Sequence, residues 1–393
     1  MMKKSLGILF MVLSAMTSCT FEGEETAGAD RLQDVYIKFE NAGTPGTRSE
    51  ETSKTGTDKV SFSNGYIFFL TGQDNVKKCY HILPAGSTAN KANNEIELSD
   101  FWGGASSGGY LFSNVSGEVT KVYLIGNMPS TISDSDVRSK TTFAKLKELT
   151  AGIETQSNVD RVLIDGSDAL QTAPGGDATK KVADITLVPL CSRIEIAKFT
   201  AGGAVAGYKL QGIYVSHFYN KMAFNETSVA ANLEKYAAGG GADYAAKFAS
   251  LCDVATVPAT GLGTQAGLVT TPATSTNVWA YQFFPGNNTG RVPPRIVIKL
   301  NGVSVNAGYG SFDSTKDYFL NIRGFKASGA GDVDPMALER GKVYKIANVA
   351  FKENDISDVP NPADIDLTVT VEVAAWVPKT VEPIMGARGS PSL

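Results

Sequence analysis

Short segments in which apolar and polar side chains alternate, divided by Gly, Asn, Asp and Pro, recur along this chain and point it to β architecture. The clearest early case is residues 34–40. Val35, Ile37 and Phe39 fall on one face and Tyr36 and Lys38 on the other, the period of a half-buried strand. Near the other end, Leu367, Val369, Val371 and Val373 alternate with Thr368, Thr370 and Glu372. Between them the pattern predicts strands over 66–70, 78–82, 119–125, 161–164, 183–188, 193–199, 208–215, 279–284, 295–300, 318–322 and 342–351. Helical signals are few. Residues 133–149 carry an apolar stripe (Val137, Phe143, Leu146, Leu149) with Asp134 or Ser135 as the cap. Two more stretches, around 230–236 and 244–251, flank a triple glycine. The expected class is mainly β with a few short helices. A length of 393 residues exceeds what one core ordinarily serves, so two domains are expected, with the boundary near residues 187–189.

The first eighteen residues are of a different kind. Lys3 and Lys4 precede an apolar run over 6–13, and small residues lead to Cys19. That is an export signal closing on a cysteine, the pattern of a bacterial lipoprotein in which Cys19 is lipidated and the preceding peptide removed. Met16 stands where leucine is usual in such signals. The run is shorter than the roughly 20 apolar residues a bilayer span needs, and Gly, Thr, Lys or Asp interrupts every later one. The lipid is therefore the expected attachment, with the body outside the cytoplasm.

Chemistry is sparse. A net charge of −4, from 36 basic and 40 acidic residues, offers no basic face for nucleic acid. His81 and His217 are the only histidines, no C-x-x-C occurs, and Cys79, Cys191 and Cys252 do not make an even set, so neither a zinc site nor a disulfide framework is expected. Residues 104–108 match G-x-S-x-G but lie in a Gly/Ser run without the strand and helix of a nucleophile elbow. Residues 261–266 echo a dinucleotide fingerprint without a βαβ pattern and are read as a loop. Asp355, Asp358, Asp364 and Asp366 lack the glycine and closing glutamate of a calcium loop and are read as a solvated turn. The expectation is no enzyme, no cofactor and no metal.

Residues 41–58 are a long stretch of Gly, Thr, Ser, Pro and charge with no large apolar side chain, and Arg48 lies inside it. In order, the chain has a lipoprotein signal, a short spacer, one strand, a long loop with one arginine, two β-rich units and an apolar β segment near the C-terminus. This layout resembles the FimA-like fimbrillins, the type V pilins of the Bacteroidia. Local echoes are residues 121–129, a strand ending in Gly-Asn-x-Pro; residues 189–196, opening the second unit; and residues 367–378 with Trp376.

The resemblance implies two tandem β-sandwich domains and a mechanism. Residues 1–18 would be the signal, 19–48 a propeptide carrying the first strand, 49–187 the N-terminal domain and 188–393 the C-terminal domain with a donor segment. An arginine-specific protease would cut Arg48–Ser49, the strand holding Val35, Ile37 and Phe39 would leave, and an extended segment of another subunit would fill the groove. The mature form would sit in fimbriae at the cell surface and support adhesion. Its partners would be other pilin subunits, the processing protease and, before cleavage, the outer membrane through the lipid. Arg31 is a rival cut site, but cutting there leaves the strand in place. Two donor segments stay open: Leu367, Val369, Val371 and Val373, or the stretch with Val377, Val381 and Ile384, where Pro378 and Pro383 each remove a ladder donor. Two other readings stay open as well. The first strand is a permanent one, or the chain is a lipid-anchored surface protein that binds a glycan or host ligand through Trp102, Trp279, Tyr281 and Phe284.

Overall fold

The computed structural model describes residues 31–39, 51–52, 60, 62–102, 109–158, 161–226, 232–237, 241–255, 261–274, 277–285, 294–329, 338–362, 365 and 367–375. The strands of the first part are β1 (Leu32–Phe39), β2 (Gly65–Thr71), β3 (Val76–Leu83), β4 (Glu95–Glu97), β5 (Gly109–Ser116), β6 (Val119–Gly126), β7 (Ile164–Ala169), β8 (Lys180–Ile185) and β9 (Val188–Pro189). They form a six-stranded sheet in the order β9-β7-β6-β2-β3-β4 and a four-stranded sheet in which residues 171–172 precede β8-β1-β5. The two sheets face each other across an aromatic layer. Phe112 of β5 packs against Phe69 of β2 and Tyr80 of β3, with ring centroids 5.0 and 4.9 Å apart. β2 is buried along almost its whole length, which explains its unbroken apolar run rather than an alternating one.

The second part contains β10 (Ser192–Ile196), β11 (Phe199–Ala201), β12 (Val205–Ser216), β13 (Cys252–Val254), β14 (Val269–Thr271), β15 (Asn277–Phe283), β16 (Arg295–Val305), β17 (Asp317–Ala327), β18 (Lys342–Ile346), β19 (Val349–Phe351) and β20 (Leu367–Ala375). A nine-stranded sheet runs β13-β12-β16-β17-β20-β18-β10-β15 and ends on residues 51–52; a four-stranded sheet runs from residues 264–266 through β14, β11 and β19. Tyr208 packs edge-on against Phe351 at 5.1 Å and Trp279 against Phe199 at 5.3 Å, joining the two sheets through their inner faces. β20 is the hinge of the large sheet. Residues 367–371 pair with β17 in parallel, and residues 372–375 pair with β18 antiparallel.

The helices are short: α1 (Leu98–Trp102), α2 (Asp134–Arg138), α3 (Phe143–Lys147) and α4 (Gly241–Lys247). The single helix expected over 133–149 is thus two. Ser133 caps the first, accepting from the Asp136 N–H at 3.1 Å, and Thr142 caps the second, accepting from the Lys145 N–H at 3.3 Å. The helix expected around 230–236 is corrected in part: Leu233 and Glu234 form a short strand against Phe218 and Tyr219. The strand expected at 161–164 begins at Ile164 and runs on to Ala169. The Gly126–Pro129 stop behaves as its residues require. A Cβ at Gly126 would lie 2.6 Å from the Phe62 ring, and Asn127 takes φ 58°. The Asn127 amide then accepts from the Ser63 N–H at 2.8 Å and donates to the Val162 carbonyl at 2.9 Å.

Candidate functional site

β1 is an inner strand. It runs parallel to β8, from Asp34 opposite Lys180 to Phe39 opposite Ile185, and antiparallel to β5, from Leu32 opposite Ser116 to Lys38 opposite Gly109. Its two neighbours are far from it along the chain, β5 starting only at Gly109 and β8 at Lys180, so nothing local holds it. Val35 and Ile37 are fully buried, as the alternation predicts, in the core that includes Phe69, Phe101 and Phe112. Phe39 ends the strand. Burying Val35 and Ile37 contributes roughly 1.5–3 kcal/mol apiece, and each ladder hydrogen bond about 0.5–1.5 kcal/mol.

The start of β1 is held by polar groups. The Gly117 N–H donates to the Arg31 carbonyl at 2.6 Å and the Asp34 N–H to the Thr179 carbonyl at 2.8 Å. Gln33 is 7% exposed, and its side-chain amide donates to the carbonyls of Ser116 (3.1 Å) and Val119 (2.9 Å). The β1–β5 register shifts between Gln33 and Val35, where β5 carries a bulge with Asn114 at φ 57°. Without β1, the inner edges of β8 and β5 and the apolar floor between the sheets would face water.

The two parts of the chain meet at a buried carboxylate. Asp165 of β7 accepts from Tyr123 OH at 2.7 Å and from Lys147 Nζ at 2.6 Å, and it is ion-paired to Arg340. Arg340 also donates to the carbonyls of Pro189 at 2.9 Å and Val188 at 2.6 Å. Burial pushes the Asp165 carboxyl up, but Arg340 and Lys147 outweigh it and hold it below the ordinary carboxylate range. Asp165 and Asp168 look alike within Ile164–Ala169, and the partner Arg340 lies far along the chain, so the sequence carries no signal for this cluster. Backbone pairs join the parts as well: Met222 opposite Ala151, and Thr52 opposite Asn277.

The structure places the other expected residues as follows. Leu367, Val369, Val371 and Val373 lie in β20, with Val369 and Val371 buried and Val373 38% exposed. β20 sits between β17 and β18, so withdrawing it would divide the nine-stranded sheet. Cys19, Arg48, Ser49, Val377, Val381 and Ile384 lie outside the described residues, as do residues 104–108. Trp279, Tyr281 and Phe284 are core residues, each 1% exposed or less, which removes them as a ligand platform. Residues 261–266 run from a loop into a short strand, not into a helix. Asp355 accepts from the Lys352 N–H at 2.9 Å, closing a single helical turn. His81 stacks on Tyr66 at 4.3 Å with Nδ1 3.3 Å from Asp134 Oδ1, and burial lowers its pKa. Burial pushes the Cys79 and Cys191 thiols up to about 12, so neither is a ready nucleophile. Among the described residues, no group of three or more His, Cys, Asp or Glu is placed to hold a metal, and no helix is long and apolar enough to cross a membrane.

These features define a mainly β protein of paired sheets whose first strand is an inner member of its N-terminal sheet. No protein-family model matches the chain, and no curated protein matches its sequence. Solved structures match it in fold. A candidate cell adhesion protein from Bacteroides eggerthii aligns over 89% of this chain and 98% of its own, with a TM-score of 0.54 and 14% identity. A fimbrilin (FimA) from Porphyromonas gingivalis covers 89% of this chain and 99% of its own, with a TM-score of 0.51 and 13% identity. A candidate cell adhesion protein from Parabacteroides distasonis covers 88% and 97%, with a TM-score of 0.50 and 11% identity. The chain has the mainly β fold of the fimbrillins.

Proposed function

We propose that this protein is a structural subunit of a cell-surface fimbria that supports adhesion. In this reading it is exported as a lipoprotein on Cys19 and anchored in the outer membrane. An arginine-specific protease then cuts between Arg48 and Ser49, and lipid and β1 leave together. Residues 49–187 and 188–393 form the two domains of the mature subunit, and a C-terminal segment of another subunit fills the vacated place. The protein is not an enzyme and needs no cofactor.

The observation that carries this reading is the position of β1. An inner strand paired on both sides, whose chain connection runs through residues 40–50, leaves a two-edged slot when it goes. Open strand edges over an apolar floor recruit another strand. In this reading donor and acceptor are different parts of the subunit, so the contact is heterologous, does not close, and a filament grows. The central place of β20 favours residues 376–393 as the donor, with β20 staying in its own subunit. The test is Arg48→Ala. The variant is expected to accumulate as a folded, lipid-anchored monomer; filaments of normal length on electron micrographs would refute release at that bond.

A further inference from the structure

The start of the β1 slot is not apolar. Val35 and Ile37 fill the groove by shape, and residues of the same kind would fill it in several registers. A shift by two residues would keep the apolar face inward and cost little. Gln33 breaks that degeneracy. Its amide reaches from β1 across the mouth of the sandwich, one bond to Ser116 at the end of β5 and one to Val119 at the start of β6, in the opposite sheet. One of these is a fully buried bond and Gln33 itself is buried. The β5 bulge at Asn114, whose N–H lies 3.4 Å from Asp34 Oδ1, marks the next position along.

We propose that Gln33 is the register key of this groove, and that the strand which replaces β1 must carry a side-chain hydrogen-bond donor at the same position. The inference rests on the reading that β1 leaves. The occupant is then an extended strand of another subunit with the order donor, any residue, apolar, any residue, apolar, an order that Lys379, Val381 and Pro383 supply in the C-terminal segment. A strand in a shifted register sets an apolar side chain against the carbonyls of Ser116 and Val119. Those acceptors then lose their donor in a place that water reaches poorly, a penalty that applies only to the wrong register. The apolar face thus supplies affinity and the amide supplies selection among strands that are equally apolar.

The test uses the full-length protein cut with an arginine-specific endoprotease, with the cut after Arg48 confirmed by intact mass. Fluorescent peptides of residues 31–40 are offered in three forms: natural, Gln33→Met and Gln33→Glu. Methionine keeps the volume and removes the donor; glutamate sets an acceptor against acceptors. The body of the protein is the same in every arm, so folding of a variant does not enter. The natural peptide is expected to bind about ten-fold or more tightly than Gln33→Met, with Gln33→Glu weaker still at neutral pH. Three peptides within about two-fold of one another would overturn the register key and leave strand exchange standing. No binding by any peptide, the natural one included, would overturn both.

Discussion

Replacing Arg340 by alanine tests the junction between the two parts of the chain. Arg340 donates to the carbonyls of Val188 and Pro189 and pairs with Asp165, whose side chain is 3% exposed. Removing one partner of a buried ion pair typically costs about 3–5 kcal/mol, because the remaining charge stays buried. Lys147 still reaches Asp165, which places the expected loss near the low end, at about 3 kcal/mol. The pH dependence is sharper than the magnitude. In the natural protein the Asp165 carboxyl is held low, so its contribution is complete above its unfolded pKa of about 4 and is lost as pH falls through the folded value. In Arg340→Ala, burial is opposed only by Lys147 and the Tyr123 hydroxyl, and the carboxyl rises. Protonation then relieves the variant before it harms the natural protein. The deficit should be largest at pH 7 and shrink toward pH 4. Equilibrium urea unfolding at both values, followed by circular dichroism and by tryptophan emission, measures it. Trp279 is 1% exposed and reports on the second part of the chain. A deficit under about 1 kcal/mol, or one that is the same at both pH values, would refute the reading of Asp165 as a charged junction.

Further outcomes follow from the strand arrangement. Ile37→Ala should cost the uncut protein about 2–5 kcal/mol of local stability and speed hydrogen exchange in β1 and β8, while β16 and β17 keep their protection. Unchanged exchange in β8 would mean that β1 does not hold that edge. Val371→Asp should prevent soluble folding of the subunit, since it buries a charge in β20 at a cost above about 3 kcal/mol. Deleting residues 376–393 should instead leave expression and proteolytic processing normal and abolish filaments. Filaments of ordinary length from that deletion would exclude the tail as donor.

Much of this fold can be read from alternation, because a sheet with one wet face imposes a period of two on its strands. β1 and β20 are legible in that way, whereas β6 is an apolar run buried on both faces over its last five residues, and its end is marked by the stop at Gly126–Pro129. What alternation cannot reveal is partnership. β1 lies between β8 and β5, and no residue in 34–40 names either neighbour. The break within 133–149 was hidden because Thr142 fits a helix interior nearly as well as a cap, and the hydroxyl settles the matter only where its N–H partner is in reach. Alanines around 230 favour a helix locally, yet Leu233 and Glu234 are taken by the edge at Phe218 and Tyr219. Trp279, Tyr281 and Phe284 illustrate the limit for sites: an aromatic cluster has one composition whether it faces a ligand or a core. Gln33 was equally silent, since a polar residue at the start of a strand normally faces water.

The central claim is that β1 belongs to the precursor and not to the working protein. N-terminal sequencing of surface material sheared from cells tests it directly. The account predicts Ser49 as the first residue, with residues 19–48 absent from the filament. Mature surface protein that begins uniformly at a lipidated Cys19 would contradict it.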